Sequence, residues 1–299
     1  MGHVCFVIFA YYYRFRFMFS KFYDSNLLIL LALIAFVWLF LIWRNRGNQS
    51  STLEEGFQQD SPYVLKQGAD VYDDFYAQFY QEHIRPHSVS AADLVAPVIQ
   101  ATMPSVLNSR FLDVGCGTGA VLDAVSSAGY SIVGVDRSKC MIEYASSQHD
   151  IRHADVADPM LFDARFFSHI LLIDQVVYEW TLDEMRQIFK NCSHWLQRGG
   201  YFVLHLVDPK YHADVVRDFG AFTYSSKYKK EGDVVANMNT VVHIETFTDH
   251  SSQHMRSNEN VLHMSSVGDI LKLAEQVGFH LQAKWVIQDH QFVYLLSLS

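Results

Sequence analysis

An apolar strand that runs into a glycine-rich turn constrains this chain more than any other feature. Residues 111–119 read Phe-Leu-Asp-Val-Gly-Cys-Gly-Thr-Gly, and a helical pattern starts directly after them. The segment therefore predicts a strand, a tight turn and a helix. Because glycine lacks a Cβ atom, such a turn lets a ligand approach the backbone, and the helix N-terminus adds partial positive charge. We expect a cofactor site here.

Strands and helices alternate on both sides of this turn. Segments that predict strands lie at residues 110–114, 131–135, 151–154, 169–173 and 201–207, with helical segments between them. This alternation predicts an α/β fold with a parallel sheet covered on both faces. Residues 222–229, 240–247 and 255–264 are β-branched or alternate in hydropathy, with turn residues between them, which predicts an antiparallel insertion at 211–264. A last helix and a closing hairpin follow it.

Three carboxylates stand at the ends of successive predicted strands. Asp113 precedes the glycine turn, Asp136 ends the second strand and Asp155 ends the third. The glycines alone also fit a dinucleotide fingerprint, in which the helix N-terminus binds pyrophosphate. Asp113 would repel that pyrophosphate, whereas it suits a cofactor with an amino-acid tail. A dinucleotide-dependent oxidoreductase stays the alternative.

The segment from Asp113 to Gly119 resembles motif I of the class I S-adenosylmethionine-dependent methyltransferases. The similarity covers residues 63–299 and includes Asp136, Asp155, the residue 169–174 strand, the residue 195–204 segment and the closing hairpin. It implies a Rossmann-like, seven-stranded sheet whose last strand is antiparallel, with the β insertion before strand six. It also implies S-adenosylmethionine as the cofactor and methyl transfer by in-line displacement as the reaction.

The resemblance also implies roles for individual residues. Asp113 and the glycines would face the methionine part of the cofactor, Asp136 its ribose, and Asp155 with the Val156 backbone its adenine. Tyrosines at every fourth position predict an aromatic helix over residues 71–80, which by the resemblance would cover the cofactor. The full set that we expect to bind the cofactor is Tyr72, Tyr80, Asp113, Gly115, Cys116, Gly117, Gly119, Asp136, Arg137, Asp155, Val156 and Asp174.

The catalytic candidates follow strands four and five, where ligands of such sheets bind. They are Tyr178, Glu179 and His205. Trp180 follows Glu179 where many small-molecule methyltransferases carry a histidine, which weakens any histidine base at that position. A membrane scaffold that binds the cofactor without turnover therefore stays open. We expect a small-molecule or lipid-like acceptor.

The N-terminal region predicts a membrane anchor. Residues 27–43 are 17 residues without charge, and at 1.5 Å per residue they span ~26 Å, close to the ~30 Å of a hydrocarbon core. No cleavage site follows, which argues against a signal peptide. We predict a single-pass membrane protein with its catalytic domain in the cytosol. The predicted parts are a basic and aromatic segment at 1–26, the membrane helix at 27–43, a linker at 44–62 and the methyltransferase domain at 63–299, with the insertion at 211–264 as a substrate cover.

The charge and the spacing of cysteines and histidines limit the kinds of partner, disulfide and metal site that we expect. Residues 50–299 carry 18 basic and 31 acidic side chains, which disfavours a nucleic acid partner. Four isolated cysteines argue against a disulfide framework or a zinc knuckle. Two histidine pairs have metal-like spacing, but Pro86 interrupts the pair at residues 83 and 87, and the pair at residues 250 and 254 lies in a turn-rich stretch. We therefore expect no metal site. The oligomeric state does not follow from the sequence.

Overall fold

A computed structural model describes residues 33–37, 62–145, 147–208, 214–230, 240–288 and 290–299. The chain divides into two units, residues 1–54 and 55–299. In the first unit, residues 33–37 are helical and their side chains are exposed. No helix among the described residues is both long and apolar enough to cross a membrane. The rest of the predicted membrane helix, the basic segment 1–26 and nearly all of the linker 44–62 lie outside the described residues.

A seven-stranded sheet forms the centre of the second unit. Its order is β11-β12-β6-β5-β2-β3-β4. The strands are β2 (Arg110–Val114), β3 (Ser131–Asp136), β4 (Asp150–His153), β5 (Phe167–Leu172), β6 (Leu196–Val207), β11 (Phe279–Gln288) and β12 (Gln291–Leu298). Neighbouring pairs from β4 to β6 are parallel, whereas β12 is antiparallel to both β6 and β11. This topology confirms the predicted Rossmann-like sheet.

The described part of the second unit contains six α-helices, and four of them cover the two faces of this sheet. The six helices are α1 (Asp74–Phe79), α2 (Ala91–Thr102), α3 (Ala120–Ser127), α4 (Lys139–Glu143), α5 (Leu182–Trp195) and α6 (Val267–Gln276). One apolar core joins the sheet to α5 and α6 through residues such as Phe189 and Ile270. The other joins it to α2 and α3 through Leu94 and Leu122. Helices α2, α3, α5 and α6 therefore bury their apolar stripes against the sheet, as the alternating sequence predicts, whereas Phe75 and Phe79 of α1 contact Phe247 at residues 240–249.

A second sheet of five strands contains the predicted insertion. Its order is β1-β10-β9-β8-β7. The strands are β1 (Tyr63–Gln67), β7 (Val215–Asp218), β8 (Phe222–Lys230), β9 (Thr240–Asp249) and β10 (Met255–His263). Strands β7 to β10 pair antiparallel, as expected for the insertion. The sequence did not indicate β1, which precedes the central sheet in the chain and pairs parallel with β10.

The aromatic segment before α2 is not the continuous helix that its spacing predicts. Asp73 has extended backbone angles and its carboxylate accepts from the Tyr76 N–H at 3.1 Å, so α1 cannot begin before residue 74. A 3₁₀ turn at Gly68–Val71 precedes Asp73. A short π-helix at Tyr80–Ile84 and a 3₁₀ turn at Arg85–His87 follow α1. The capping preference of Asp73 overrides the helical period here.

Candidate active site

A cavity of about 260 Å³ opens at the carboxyl ends of the central strands. The loops after β2, β3, β4 and β5 supply its floor, and the segment from Tyr72 to Tyr80 supplies one wall. Its volume is near the lower end of the ~300–1,000 Å³ that small-ligand sites occupy. This is the edge at which open parallel sheets bind ligands.

The glycine turn after β2 forms part of the floor of the cavity. Gly115 has a φ of +72° and its N–H donates to the Val135 carbonyl at 2.8 Å. A Cβ atom on Gly115 would lie 2.7 Å from Cγ2 of Val176, the residue that begins the 3₁₀ turn after β5. Glycine is therefore required at position 115 for two reasons: the backbone has a positive φ, and Val176 leaves no room for a Cβ atom.

Acidic side chains dominate the cavity lining. Its charged residues are Asp113, Asp136, Asp155, Asp174, Glu179 and Arg137. Five carboxylates thus face one guanidinium group. Asp113 is only 2% exposed, and burial, then the nearby charges of Asp174 and Asp136, raises its pKa. A cationic group in the cavity would relieve this repulsion.

Asp136 connects the glycine turn to the end of β3. One of its carboxylate oxygens accepts from the Gly117 N–H at 2.8 Å, and the other accepts from the Ser138 N–H at 2.8 Å. Each carboxylate oxygen has two lone pairs, so Asp136 can hold the turn and still accept hydrogen bonds from a ligand.

Three tyrosines spaced four residues apart form the wall. Tyr72, Tyr76 and Tyr80 all line the cavity, with ring centroids 5.5 Å and 6.4 Å apart between neighbours. The Tyr80 hydroxyl donates to Asp174 at 3.1 Å. Arg85, farther along the same segment, donates to the Thr118 carbonyl at 3.3 Å, which ties the wall to the glycine turn.

Glu179 connects the wall to the cofactor side of the cavity. Its carboxylate accepts from the Tyr72 hydroxyl at 2.5 Å and from Arg137 at 2.8 Å. Burial raises the pKa of Glu179, and the Tyr72 hydrogen bond and the Arg137 charge oppose that rise. Both carboxylate oxygens are therefore engaged, and Glu179 fixes the positions of Tyr72 and Arg137.

The structure brings most of the predicted site together. Those predicted residues that line the cavity are Tyr72, Tyr80, Asp113, Gly115, Cys116, Gly117, Asp136, Arg137, Asp155, Val156, Asp174 and Glu179. Of the described part of the chain, three predicted residues lie elsewhere: Gly119, Tyr178 and His205. Gly119 precedes the first turn of α3 with a φ of +83°.

The other two lie in the core. Tyr178 is 2% exposed, and its hydroxyl donates to the Val207 carbonyl at 2.9 Å and accepts from the Val207 N–H at 3.2 Å. His205 is also buried, with Nε2 3.2 Å from Oε1 of Gln291. Burial lowers the pKa of His205. The structure thus separates both side chains from the cavity surface.

Several lining residues were not predicted. They are Tyr76, Thr118, Ala120, Val121, Val135, Met141, Ala154, Ile173, Val176 and Trp180. Tyr76 could have been found, because it occupies the middle position of the four-residue tyrosine repeat. Met141 and Val176 carry no local signal, since only the fold places them beside the turn.

The residues present fit a cationic, hydrogen-bonding cofactor. Thr118 is 2% exposed and lines the cavity. Its hydroxyl has no hydrogen-bond partner within the described part of the chain, so a ligand oxygen or nitrogen there would satisfy it. The buried Asp113 suits an ammonium group. These donors and acceptors match a cofactor that carries both an amino-acid group and a nucleoside.

Comparison with known proteins relates this site to methyltransferases. Residues 111–200 match the family model described as "Methyltransferase domain". The N,N-dimethyltransferase of dTDP-4-amino-2,3,4,6-tetradeoxy-D-glucose from Saccharopolyspora spinosa is 26% identical over 162 residues, which are 52% of this chain and 60% of that protein. The ubiquinone biosynthesis O-methyltransferase of Coxiella burnetii is 27% identical over 120 residues, which are 38% and 47% of the two chains. The chain thus matches less than two thirds of either relative's length.

Solved structures share the fold. S-adenosylmethionine-bound CalS10, an amino pentose methyltransferase from Micromonospora echinaspora, has a TM-score of 0.58 and 21% identity, over 74% of this chain and 96% of that one. This likeness shows the shared fold. The family match over residues 111–200 and the methyltransferase relatives support the prediction of an S-adenosylmethionine-dependent methyltransferase domain.

Proposed function

We propose that this chain transfers a methyl group from S-adenosylmethionine to an amino group of a small polar molecule. The acidic lining of the cavity, with five carboxylates against Arg137, carries the proposal. This charge balance favours a cofactor with an ammonium and a sulfonium group. It also favours an amine over an anionic acceptor.

Different residues of the cavity would bind different parts of the cofactor. Asp113 would accept from its ammonium group, Asp136 from its ribose hydroxyls and Asp155 from its adenine amino group. When bound, the cofactor supplies an electrophilic methyl group on a sulfonium. The glycine turn allows the backbone to approach, and Thr118 offers a hydroxyl whose hydrogen-bonding capacity is unused among the described residues.

The tyrosine wall excludes water and aligns the acceptor. Tyr72 is held by Glu179 and Tyr80 by Asp174, so neither ring needs to be ordered when ligands bind. Alignment of two bound reactants can lower a barrier by up to ~7–11 kcal/mol. Asp174 and Gln175 both have positive φ, of 52° and 64°, and such backbone strain is concentrated at functional sites.

The acceptor assignment draws on the named relatives. The Saccharopolyspora spinosa relative is an amino-sugar N,N-dimethyltransferase, whereas the Coxiella burnetii relative is an O-methyltransferase. The acidic cavity favours the amine. An amine must be neutral to attack, and its released proton can pass to one of the surrounding carboxylates.

Two rival functions remain in the proposal. A dinucleotide-dependent oxidoreductase would place pyrophosphate beside Asp113, which the charge balance opposes. A scaffold without turnover would bind the cofactor equally well. The membrane helix at residues 27–43, the cytosolic placement of the domain and a lipid-like acceptor rest on the sequence alone.

Calorimetric titration of the full chain in mild detergent tests the cofactor. We expect S-adenosylmethionine and S-adenosylhomocysteine to bind with about micromolar affinity and NAD not to bind. Asp113→Asn should weaken binding of S-adenosylmethionine about 10–100-fold, as expected for loss of a charged hydrogen bond. Asp150→Asn, a change at an exposed aspartate that begins β4, is the matched control.

The outcomes separate the three functions. Binding of NAD alone would sink the methyltransferase proposal. Binding of S-adenosylmethionine with no transfer of labelled methyl to any small amine would favour the scaffold. Transfer to an amine, lost in Asp113→Asn and kept in Asp150→Asn, is the result that we expect.

A further inference from the structure

The loop between α2 and β2 presents large apolar side chains to solvent. Met103, Val106 and Leu107 are 83%, 57% and 92% exposed, respectively. Single apolar residues scattered over a surface are normal, but these three lie within five consecutive positions. We call this segment the 103–107 loop. Contiguous exposed apolar surface of this kind marks a site of interaction with a partner or a membrane.

Hydrogen bonds fix the shape of the 103–107 loop. The N–H groups of Asn108 and Ser109 both donate to the Ser105 carbonyl, at 3.2 Å and 2.8 Å. Val106 and Leu107 lie between these residues and form the tip of the closed turn. The exposure of the two side chains therefore follows from a hydrogen-bonded backbone conformation.

Met103 occupies a backbone position that usually belongs to glycine. It ends α2 with a φ of +45°, in the left-handed region, where a side chain on an L-residue is strained. The side chain gains little burial in return, because it is 83% exposed. The strain is therefore offset only where a partner buries the methionine.

Three exposed arginines lie at the same edge of the central sheet as this loop. Arg110 begins β2, Arg165 precedes β5, and Arg198 lies in the irregular start of β6. These strands are parallel, so their amino ends meet at one edge. Phe166 connects the three segments: the Arg110 guanidinium group lies 4.5 Å from its ring, and the Gln197 side chain donates to its carbonyl at 3.4 Å.

The charge of this edge is opposite in sign to that of the domain. Segments 103–110, 163–168 and 196–200 contain the three arginines and one carboxylate, Asp163, whereas residues 50–299 contain 18 basic and 31 acidic side chains. Arg110, Arg165 and Arg198 form no ion pair with the residues that the structure describes. Apolar side chains beside unpaired arginines suit the surface of an anionic bilayer, which offers acyl chains and phosphate groups together.

We propose that the amino edge of the central sheet docks on an anionic lipid bilayer. Val106 and Leu107 insert among the lipids, and the arginines contact the phosphate groups. A bilayer is favoured over a protein partner because the sequence of the same chain predicts a membrane helix at residues 27–43.

The docked edge is the one opposite the cavity, which opens at the carboxyl ends of the strands. Docking in this way leaves the carboxyl edge of the sheet facing water. The proposal therefore favours an acceptor that arrives from water over a lipid-like acceptor. It does not depend on the proposed methyl transfer, since the arginines and the loop lie outside the cavity.

Fluorescence quenching of the full chain in lipid vesicles tests this proposal. The fluorophore NBD is attached at Leu107→Cys, in a chain that carries Cys5→Ser and Cys140→Ser. The other two cysteines, Cys116 and Cys192, are buried. The vesicles contain phosphatidylcholine, phosphatidylserine and a spin-labelled lipid as the quencher. We expect strong quenching, and much weaker quenching when phosphatidylserine is left out.

The matched control is a label at the opposite edge of the same sheet. Val286 is 68% exposed and lies near the end of β11, which runs parallel to β6. A label at Val286→Cys should not be quenched. Both labels report on the same vesicles, so a difference between them reflects the docked edge and not the attachment of the chain to the vesicle.

Arg198→Gln tests the electrostatic part of the proposal. Loss of one arginine near an anionic surface should lower the ratio of docked to undocked protein about fivefold, which reduces quenching of the Leu107→Cys label. Arg165→Gln, in a different segment, has the same expected effect and guards against a folding defect in either variant. Lys229→Gln is the control, because it removes an exposed charge from β8 of the second sheet. Urea midpoints of all three variants should equal that of the parent chain.

Three results would overturn the proposal. The first is quenching at Leu107→Cys no stronger than at Val286→Cys, and the second is equal quenching with and without phosphatidylserine. The third is protection of the Leu107→Cys label that grows with the number of protein copies per vesicle, which would assign the loop to contact with a second copy. Since the vesicle experiments contain no cofactor, failure of the proposed methyl transfer would leave all of these results unchanged.

Discussion

The guanidinium group of Arg256 donates two hydrogen bonds of 2.9 Å to the carboxylate of Asp73. Arg256 lies on β10 and its side chain is 2% exposed, whereas Asp73 caps α1 and is 31% exposed. Arg256 also stacks on the Phe75 ring at 4.5 Å. This fork fastens the tyrosine wall to the second sheet, 183 residues later in the chain.

Breaking the fork should destabilise the domain strongly. Asp73→Asn leaves a buried guanidinium group without its counter-charge, and such losses cost about 3–5 kcal/mol. Urea denaturation measures the free energy of unfolding of each variant. Asp74→Asn, at the exposed neighbour, should change it by less than about 1 kcal/mol. Equal effects of the two substitutions would contradict a specific role for the fork.

The packing of the glycine turn predicts a difference between two glycines with positive φ. Gly115→Ala adds a Cβ atom 2.7 Å from Val176, whereas Gly129→Ala meets nothing within 4 Å. Both substitutions strain the backbone, at about 1–2 kcal/mol each. Gly115→Ala should cost about 1–3 kcal/mol more because of overpacking. Val176→Ala in the Gly115→Ala background should recover most of that difference, and no recovery would count against the contact.

The buried Asp113 carboxyl group predicts the direction in which the stability of the protein changes with pH. Its pKa in the folded chain is raised, so the folded protein keeps a proton that the unfolded chain has lost. Stability of the ligand-free protein therefore falls as pH rises from near 3.8 through the raised pKa. Asp113→Asn should remove this decline and raise the urea midpoint at neutral pH, while it weakens cofactor binding. A midpoint lower than that of the parent above pH 7 would refute the prediction.

Substitutions at two adjacent residues should differ in their effects, one lowering stability and the other lowering turnover. Tyr178→Phe leaves the buried Val207 N–H and carbonyl without their side-chain partner, at about 1–3 kcal/mol, and should change kcat by less than about twofold because Tyr178 lies outside the cavity. Glu179→Gln weakens the link to Arg137 and should lower kcat/KM about tenfold. Unfolding and initial rates are measured on both variants. A larger rate loss for Tyr178→Phe would restore it as a catalytic candidate.

Local patterns in the sequence were sufficient for the central sheet. Strand β2 and the turn after it are encoded within ten residues, and β2 has the bounds 110–114 that its apolar segment predicts. The pairing of β1 with β10 had no such signal, because the register joins residues 63–67 to 255–259. Long-range pairing depends on the whole chain, and a five-residue strand carries too little pattern to indicate it.

The cofactor side of the site could be predicted better than its chemistry. Asp113, Asp136 and Asp155 each follow a strand, so their common edge follows from the topology. The direction of the Tyr178 side chain does not follow from the topology, because successive residues of a 3₁₀ turn point about 120° apart. Glu179 thus faces the cavity while Tyr178 enters the core. His205 lies on a strand, where its face depends on a register that the sequence alone does not fix.

The parallel pairing of β1 with β10 has a consequence for the order in which the protein is made. Gln67 and its partner Glu259 are separated by 192 positions. At about 5–20 residues per second, a ribosome needs roughly 10–40 s to pass from one to the other. During that interval β1 has no strand to pair with, and the tyrosine wall has no Arg256 to hold it. The cofactor-binding floor, complete much earlier in the chain, is therefore synthesised well before the part of the fold that closes over it.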